Sequence, residues 1–240
     1  MKTMLTTIVT GGLLCCASAQ AGNACCSTAP AKDARATPPK KVSPSRVSIF
    51  QVPLQCPAAP QIGCGSRAKP MLLELERDTN VSEAWLNRAG TKIAVVWKPE
   101  SRTKARRIVA TKLKEQEATE IKGKPRRAAI TEFLSANGWY RGAEVDRLSE
   151  EEAGIIAARL VQRVEAKTML PKGKAEALQR VLADSIARRT TDDKFTPDKD
   201  NVLKLEGELP QVAGQYLDKD QIPFMKEAIA AGWRPLSNEK

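Results

Sequence analysis

The spacing of apolar residues changes period several times along the chain. Val47 to Leu54 has strand character, with Pro53 limiting pairing at its end. A Pro- and Gly-rich loop, Gln55 to Gly65, follows and carries Cys56 and Cys64. Ala68, Leu72 and Leu75 then recur at helical spacing, Met71 widens the stripe, and Pro70 is expected in the first turn. Val81 to Asn87 and Lys92 to Trp97 read as strands around the turn Arg88-Ala89-Gly90-Thr91. Ser101 to Glu117 predicts a basic amphipathic helix with Ala105, Ile108, Val109 and Leu113 inward, and Ala118 to Ile121 a short closing strand.

Beyond Gly123 the period is helical. Arg126 to Ala136 predicts one helix, stopped by Asn137-Gly138. Ser149, followed by Glu150, Glu151 and Glu152, has the pattern of a cap for a helix with Ile156, Leu160, Val161 and Val164 inward. Lys174 to Arg189 predicts another, Thr196-Pro197 and Asp220 later helix starts, and Gly232 a final stop. The fold class expected is α+β: a ferredoxin-like βαββαβ domain over 47–123, then a helical domain over 124–240.

Residues 1–21 read as a secretory signal, with Lys2, an apolar run from Met4 to Ala17, and small-x-small cleavage patterns at Ala17-Ser18-Ala19 and Ala19-Gln20-Ala21. The run is too short to span a bilayer, so export to a periplasmic or extracellular space is expected. Leu14 before Cys15 argues against a lipoprotein anchor. Residues 22–46, rich in Ala, Pro, Lys, Ser and Thr, predict a flexible tail.

The 39 Lys and Arg against 28 Asp and Glu give a formal charge of +11, and removal of Lys2 with a leader leaves a strongly basic product. For an exported chain this favours contact with anionic surfaces over chromosomal DNA, and no aromatic–basic strip or reader motif supports nucleic acid. The chain has no histidine, which excludes Ser-His-Asp and Cys-His catalysis, His-ligated zinc and axial-His haem. Carboxylates, cations, hydroxyls and six cysteines remain.

Cys64 falls at a predicted helix N-terminus, with Arg67 and Lys69 one turn on. Dipole and cations should both favour a thiolate, the form that binds soft metals and attacks disulfides. Two thiolates on one loop suit low-coordinate Cu(I) or Hg(II), and more would suit Zn(II). In an oxidising compartment the same pair also suits a loop-closing disulfide. The adjacent Cys25 and Cys26 cannot bridge one another without strain. The segment from Cys26 to Cys56 reaches about 100 Å when extended, so the tail pair can join the loop pair as a four-thiol site, a transfer relay, or two ordinary disulfides.

Cys64, then Ala68, Leu72, Leu75, Val81 and the hairpin to Val95, resembles a heavy-metal-associated domain of the metallochaperone and mercury-binding type. In that family a Cys-x-x-Cys pair ends the first strand. Cys64 matches the second, helix-starting thiol, and Cys56 takes the place of the first only across the enlarged loop Cys56-Pro-Ala-Ala-Pro-Gln-Ile-Gly-Cys64. The resemblance spans about 75 residues and implies an exported protein that binds and traffics a soft metal between donor and acceptor proteins of the envelope. Its ligands would be Cys56 and Cys64, with Cys25 and Cys26 as additional ones, and Arg67 and Lys69 would stabilise thiolates. No catalysis is required. The alternatives are a thiol-disulfide protein, in which Cys64 attacks and Cys56 resolves, and an envelope interaction protein with structural disulfides.

Other motifs read as structure. Glu150 to Glu152 suit capping, and Asp192-Asp193 with Asp198-x-Asp200 lack the Gly and terminal Glu of a calcium loop. Trp85 and Trp97 suit a core, and Trp139-Tyr140 a contact between the two halves.

Overall fold

The computed structural model describes residues 42–135 and 137–237. The predicted leader, most of the tail, and Cys25 and Cys26 lie outside the described residues. After a short 3-10 turn at Pro44–Arg46, the elements run β1 (Val47–Gln51), α1 (Gly65–Arg77), β2 (Val81–Asn87), β3 (Lys92–Trp97), α2 (Thr103–Glu115) and β4 (Thr119–Glu120). Then come α3 (Gly123–Ser135), β5 (Trp139–Tyr140), α4 (Asp146–Glu165), α5 (Lys172–Thr190), α6 (Lys199–Ala213) and α7 (Ile222–Ala230). The described chain is thus mixed α and β, with an antiparallel five-stranded sheet in the order β4-β1-β3-β2-β5. No described helix is long and apolar enough to cross a membrane.

Both faces of the sheet are covered, as the two-residue period of its strands requires. Phe50, Leu86, Ile93, Val95 and Trp97 point to one face, where Ala68, Leu72 and Leu75 of α1 and Val109 and Leu113 of α2 meet them. Val47, Ile49, Trp85, Ala94 and Val96 point to the other, against Ile130 and Phe133 of α3. There Phe133 lies edge-on to Trp139, with ring centroids 5.0 Å apart.

Several expected features shift. Helix α3 packs on the sheet and strand β5 extends it beyond β2. Trp139-Tyr140 forms an edge strand on β2, and Tyr140 clusters with Leu148 of α4. In α2 only Val109 and Leu113 are buried, while Ile108 is 52% exposed, because this helix touches the sheet along a narrow stripe. Pro70 sits in the second turn of α1, where its missing N–H leaves the Ser66 carbonyl without an i+4 donor. Helix α4 starts at Asp146, so Ser149 is a buried interior residue and not a cap.

The helical layer is α4 to α7, packed around Ile156, Leu160, Leu178, Leu182, Leu205 and Met225. Arg159 donates to the Ala58 and Trp233 carbonyls, and Arg163 to those of Ala228, Gly232 and Arg234, tying the C-terminal segment to α4.

Candidate functional site: a buried dithiol beside a carboxyl group

The segment from Val52 to Cys64 leaves the end of β1 and stays attached to the sheet by its main chain. Val52 and Leu54 donate to the Thr91 and Gly90 carbonyls, Gly63 to Arg88, and Cys64 back to Leu54. The Cys56 N–H donates to Ile62, and the tip folds tightly as Ala59 donates to Cys56 and Ile62 to Ala59. Gly63 and Gly90 are in backbone contact: a Cβ on Gly90 would lie 2.4 Å from the Leu54 oxygen and 2.5 Å from the Gly63 Cα. Gly90 also has φ +68°, which a side chain would strain.

The side chains of this loop face the other way. Cys56, Ala58, Ala59, Ile62 and Cys64 enter the apolar cluster of the helical layer. Cys56 is 1% and Cys64 4% exposed, and both thiols are free. The Ala59 N–H donates to the Cys56 sulfur at 3.2 Å, and the Cys64 sulfur is 3.4 Å from the Ser66 hydroxyl. Cys64 is the N-cap residue of α1.

Beside the thiols stands a carboxyl group from the Glu150 to Glu152 run expected to cap a helix. Glu152 of α4 is buried, and its carboxyl group interacts with both Cys56 and Cys64. Its Oε2 and the neighbouring Ser149 Oγ are buried without a hydrogen-bond partner among the described residues. Close approach of α1 and α4 brings the parts together: a Cβ on Gly65 would lie 2.4 Å from Ser149 Oγ and 2.6 Å from the Val145 oxygen.

Burial outweighs the helix dipole here. The Cys56 thiol is pushed far up by burial and then by the Glu152 charge. Cys64 also rises, from burial and then Glu152, against smaller opposing effects of the Ser66 hydroxyl and the Arg67 N–H and charge. Burial likewise raises Glu152. The thiols are therefore held as S–H, contrary to the thiolate expected from the helix start.

The two predicted thiolate stabilisers diverge. Arg67 is exposed and acts on Cys64 only weakly. The Lys69 ammonium is occupied elsewhere, 2.8 Å from Asp146 Oδ2, 2.5 Å from Asp193 Oδ1 and 3.1 Å from the Thr191 carbonyl. It clamps α1 to the start of α4 and the turn after α5. Asp198, weighed as part of a calcium loop, is the N-cap of α6 and accepts from the Asn201 N–H.

Among the described residues, no group of three or more Cys, Asp and Glu is arranged to hold a metal ion. Such a set is needed for tetrahedral zinc, whereas a two-coordinate soft ion needs only the two sulfurs. Comparison with known proteins finds no family model, no curated protein and no solved structure that matches this chain.

Proposed function

We propose that this chain is an exported soft-metal-binding protein of the copper or mercury class, with Cys56 and Cys64 as its ligand pair. The observation that carries this is the pair of free, buried thiols on one closed loop whose main chain is tied to the sheet. Raised thiol pKa values leave such a site inert until a thiophilic ion displaces the protons. Sulfur in dry surroundings favours Cu(I) or Hg(II), and the missing third donor disfavours Zn(II) within the loop. Cys25 and Cys26 enter the proposal as further ligands or as a relay, and the partners are metal donor and acceptor proteins of the envelope. The metal moves by ligand exchange, each incoming thiolate bonding before an outgoing one leaves.

The strand order β4-β1-β3-β2, with α1 and α2 as its two connections, supports reading residues 47–121 as a split βαβ unit of the ferredoxin-like kind. On that reading, the loop between β1 and α1 that carries Cys56 and Cys64 corresponds to the thiol loop of the heavy-metal-associated domains that the sequence resembles. Thiol-disulfide exchange fits less well, since attack on a partner's disulfide needs an accessible thiolate, and here both sulfurs are enclosed and protonated.

The test is anaerobic titration of the reduced full chain with Cu(I) in competition with a chromogenic chelator. The expected result is tight uptake that survives Cys25→Ser/Cys26→Ser and is lost in Cys56→Ser/Cys64→Ser. Tight uptake unchanged by the loop substitutions would overturn the assignment.

A further inference from the structure

Both sulfurs are enclosed, so an ion needs a route to them. A cleft of about 550 Å³ opens beside the thiol loop, lined by Pro53 and Leu54 of that loop, by α1 residues from Ser66 to Glu74, by Glu115 to Glu117 and by Thr196 to Asp198. Ser66 forms part of its wall and is the residue whose hydroxyl lies 3.4 Å from the Cys64 sulfur. Ser66 is thus shared between the wall of the cleft and the surroundings of the thiol.

The chemistry of the wall is distinctive in two respects. Met71, on the same helix and 9% exposed, lines the cleft and supplies its only thioether. Thioether sulfur is a soft, neutral donor that holds Cu(I) or Ag(I) weakly and releases it to thiolate. The charged groups on the wall are Glu74, Glu115, Glu117 and Asp198 against Arg67 alone. On a chain of formal charge +11 this is a local inversion of sign. Glu74, Glu115 and Glu117 are exposed and make no ion pair among the described residues.

Resting on the soft-metal reading, we propose that this cleft is the access route of the ion. Its carboxylates draw in a soft monovalent cation, Met71 is the first sulfur it meets, and Cys64 takes it over past Ser66. The transfer is ligand exchange without redox change: a metal–Cys64 bond forms as the metal–Met71 bond breaks, and the thiol proton leaves to solvent.

The experiment uses the full chain with Cys15, Cys16, Cys25 and Cys26 replaced by serine, and Ag(I) as an air-stable probe followed by stopped-flow absorbance of the silver–thiolate bond. One Ag(I) is expected per chain, at a rate that falls as ionic strength rises, because the local field attracts while the chain as a whole repels. Met71→Leu combined with Glu115→Gln and Glu117→Gln should slow uptake about ten-fold or more while leaving the stoichiometry at one. Glu150→Gln, an exposed carboxylate on α4, should leave the rate unchanged. Equal rates in the cleft variant and the parent, or a parent rate that rises with salt, would overturn the access route while leaving the dithiol site standing. Absence of Ag(I) uptake by the parent would overturn the soft-metal reading itself. Circular dichroism of each variant, matching the parent, shows that rate differences do not come from misfolding.

Discussion

At the scale of single residues, Glu152 carries a buried carboxyl group with one oxygen unpartnered among the described residues. Its folded pKa is raised from the ordinary 4.5 by burial, so the fold favours the protonated acid. That contribution is complete below the unfolded value and is lost as pH rises through the folded one. Glu152→Gln, which keeps the shape and does not titrate, should therefore gain stability over the parent as pH climbs from about 4 to about 8, with the two converging at the acid end. Thermal unfolding of both proteins across that range checks it, and a parallel pair of curves would contradict the assignment. The role of Glu152 had a signal in the sequence that capping logic obscured. It stands four residues before Ile156 and eight before Leu160, on the stripe that faces inward, and Ser149 is near the same line. A polar residue on an apolar stripe is the informative exception. The cysteine pair was legible from loop composition alone. Its protonation was not, because burial by α4 to α7 involves residues about a hundred positions away.

At the scale of elements, the thiol loop depends on two glycines meeting back to back. Gly90→Ala would strain a left-handed backbone and push a methyl group into the Leu54 carbonyl and Gly63. It should cost about 1–3 kcal/mol in urea unfolding and, more specifically, should accelerate thiol labelling of Cys56 and Cys64. Strands β2 and β3 match their predicted ranges because they flank a clear turn, and β3 adds the uninterrupted apolar run Ile93 to Trp97. That α3 packs on the sheet was not legible in the sequence, for a physical reason. Helical period shows that a face is buried but not against what, and the two-residue strand β5 that anchors the connection is too short to register as a period. Ile108 misled in the same manner, since a wide predicted stripe met a narrow contact.

At the scale of the whole molecule, Lys69 is an enclosed polar tie between the sheet layer and the helical layer. Replacing it with Met would leave Asp146 half-buried without its ammonium partner. The expected loss is about 2 kcal/mol in chemical denaturation, with Arg67→Met, an exposed neighbour, changing stability by less than about 0.5 kcal/mol. Enclosure of the dithiol also predicts size selection. In the chain whose only cysteines are Cys56 and Cys64, a bulky aromatic disulfide reagent should label slowly, and faster as urea is raised toward the unfolding transition, whereas Ag(I) uptake should be complete long before. Equal rates for the two probes would mean that the thiols are exposed by general opening.

The contact between Gly63 and Gly90 carries a consequence for descent. Neither position can accept a side chain while the other keeps its place, so any lineage that retains the loop must hold both glycines together. Freedom is left to the solvent-facing tip at Pro60 and Gln61, where added residues would lengthen the turn without moving either sulfur. Divergent copies of this chain should thus vary in the distance between their two cysteines, growing and shrinking at that tip, while the glycine before the second cysteine and its counterpart in the β2–β3 turn remain.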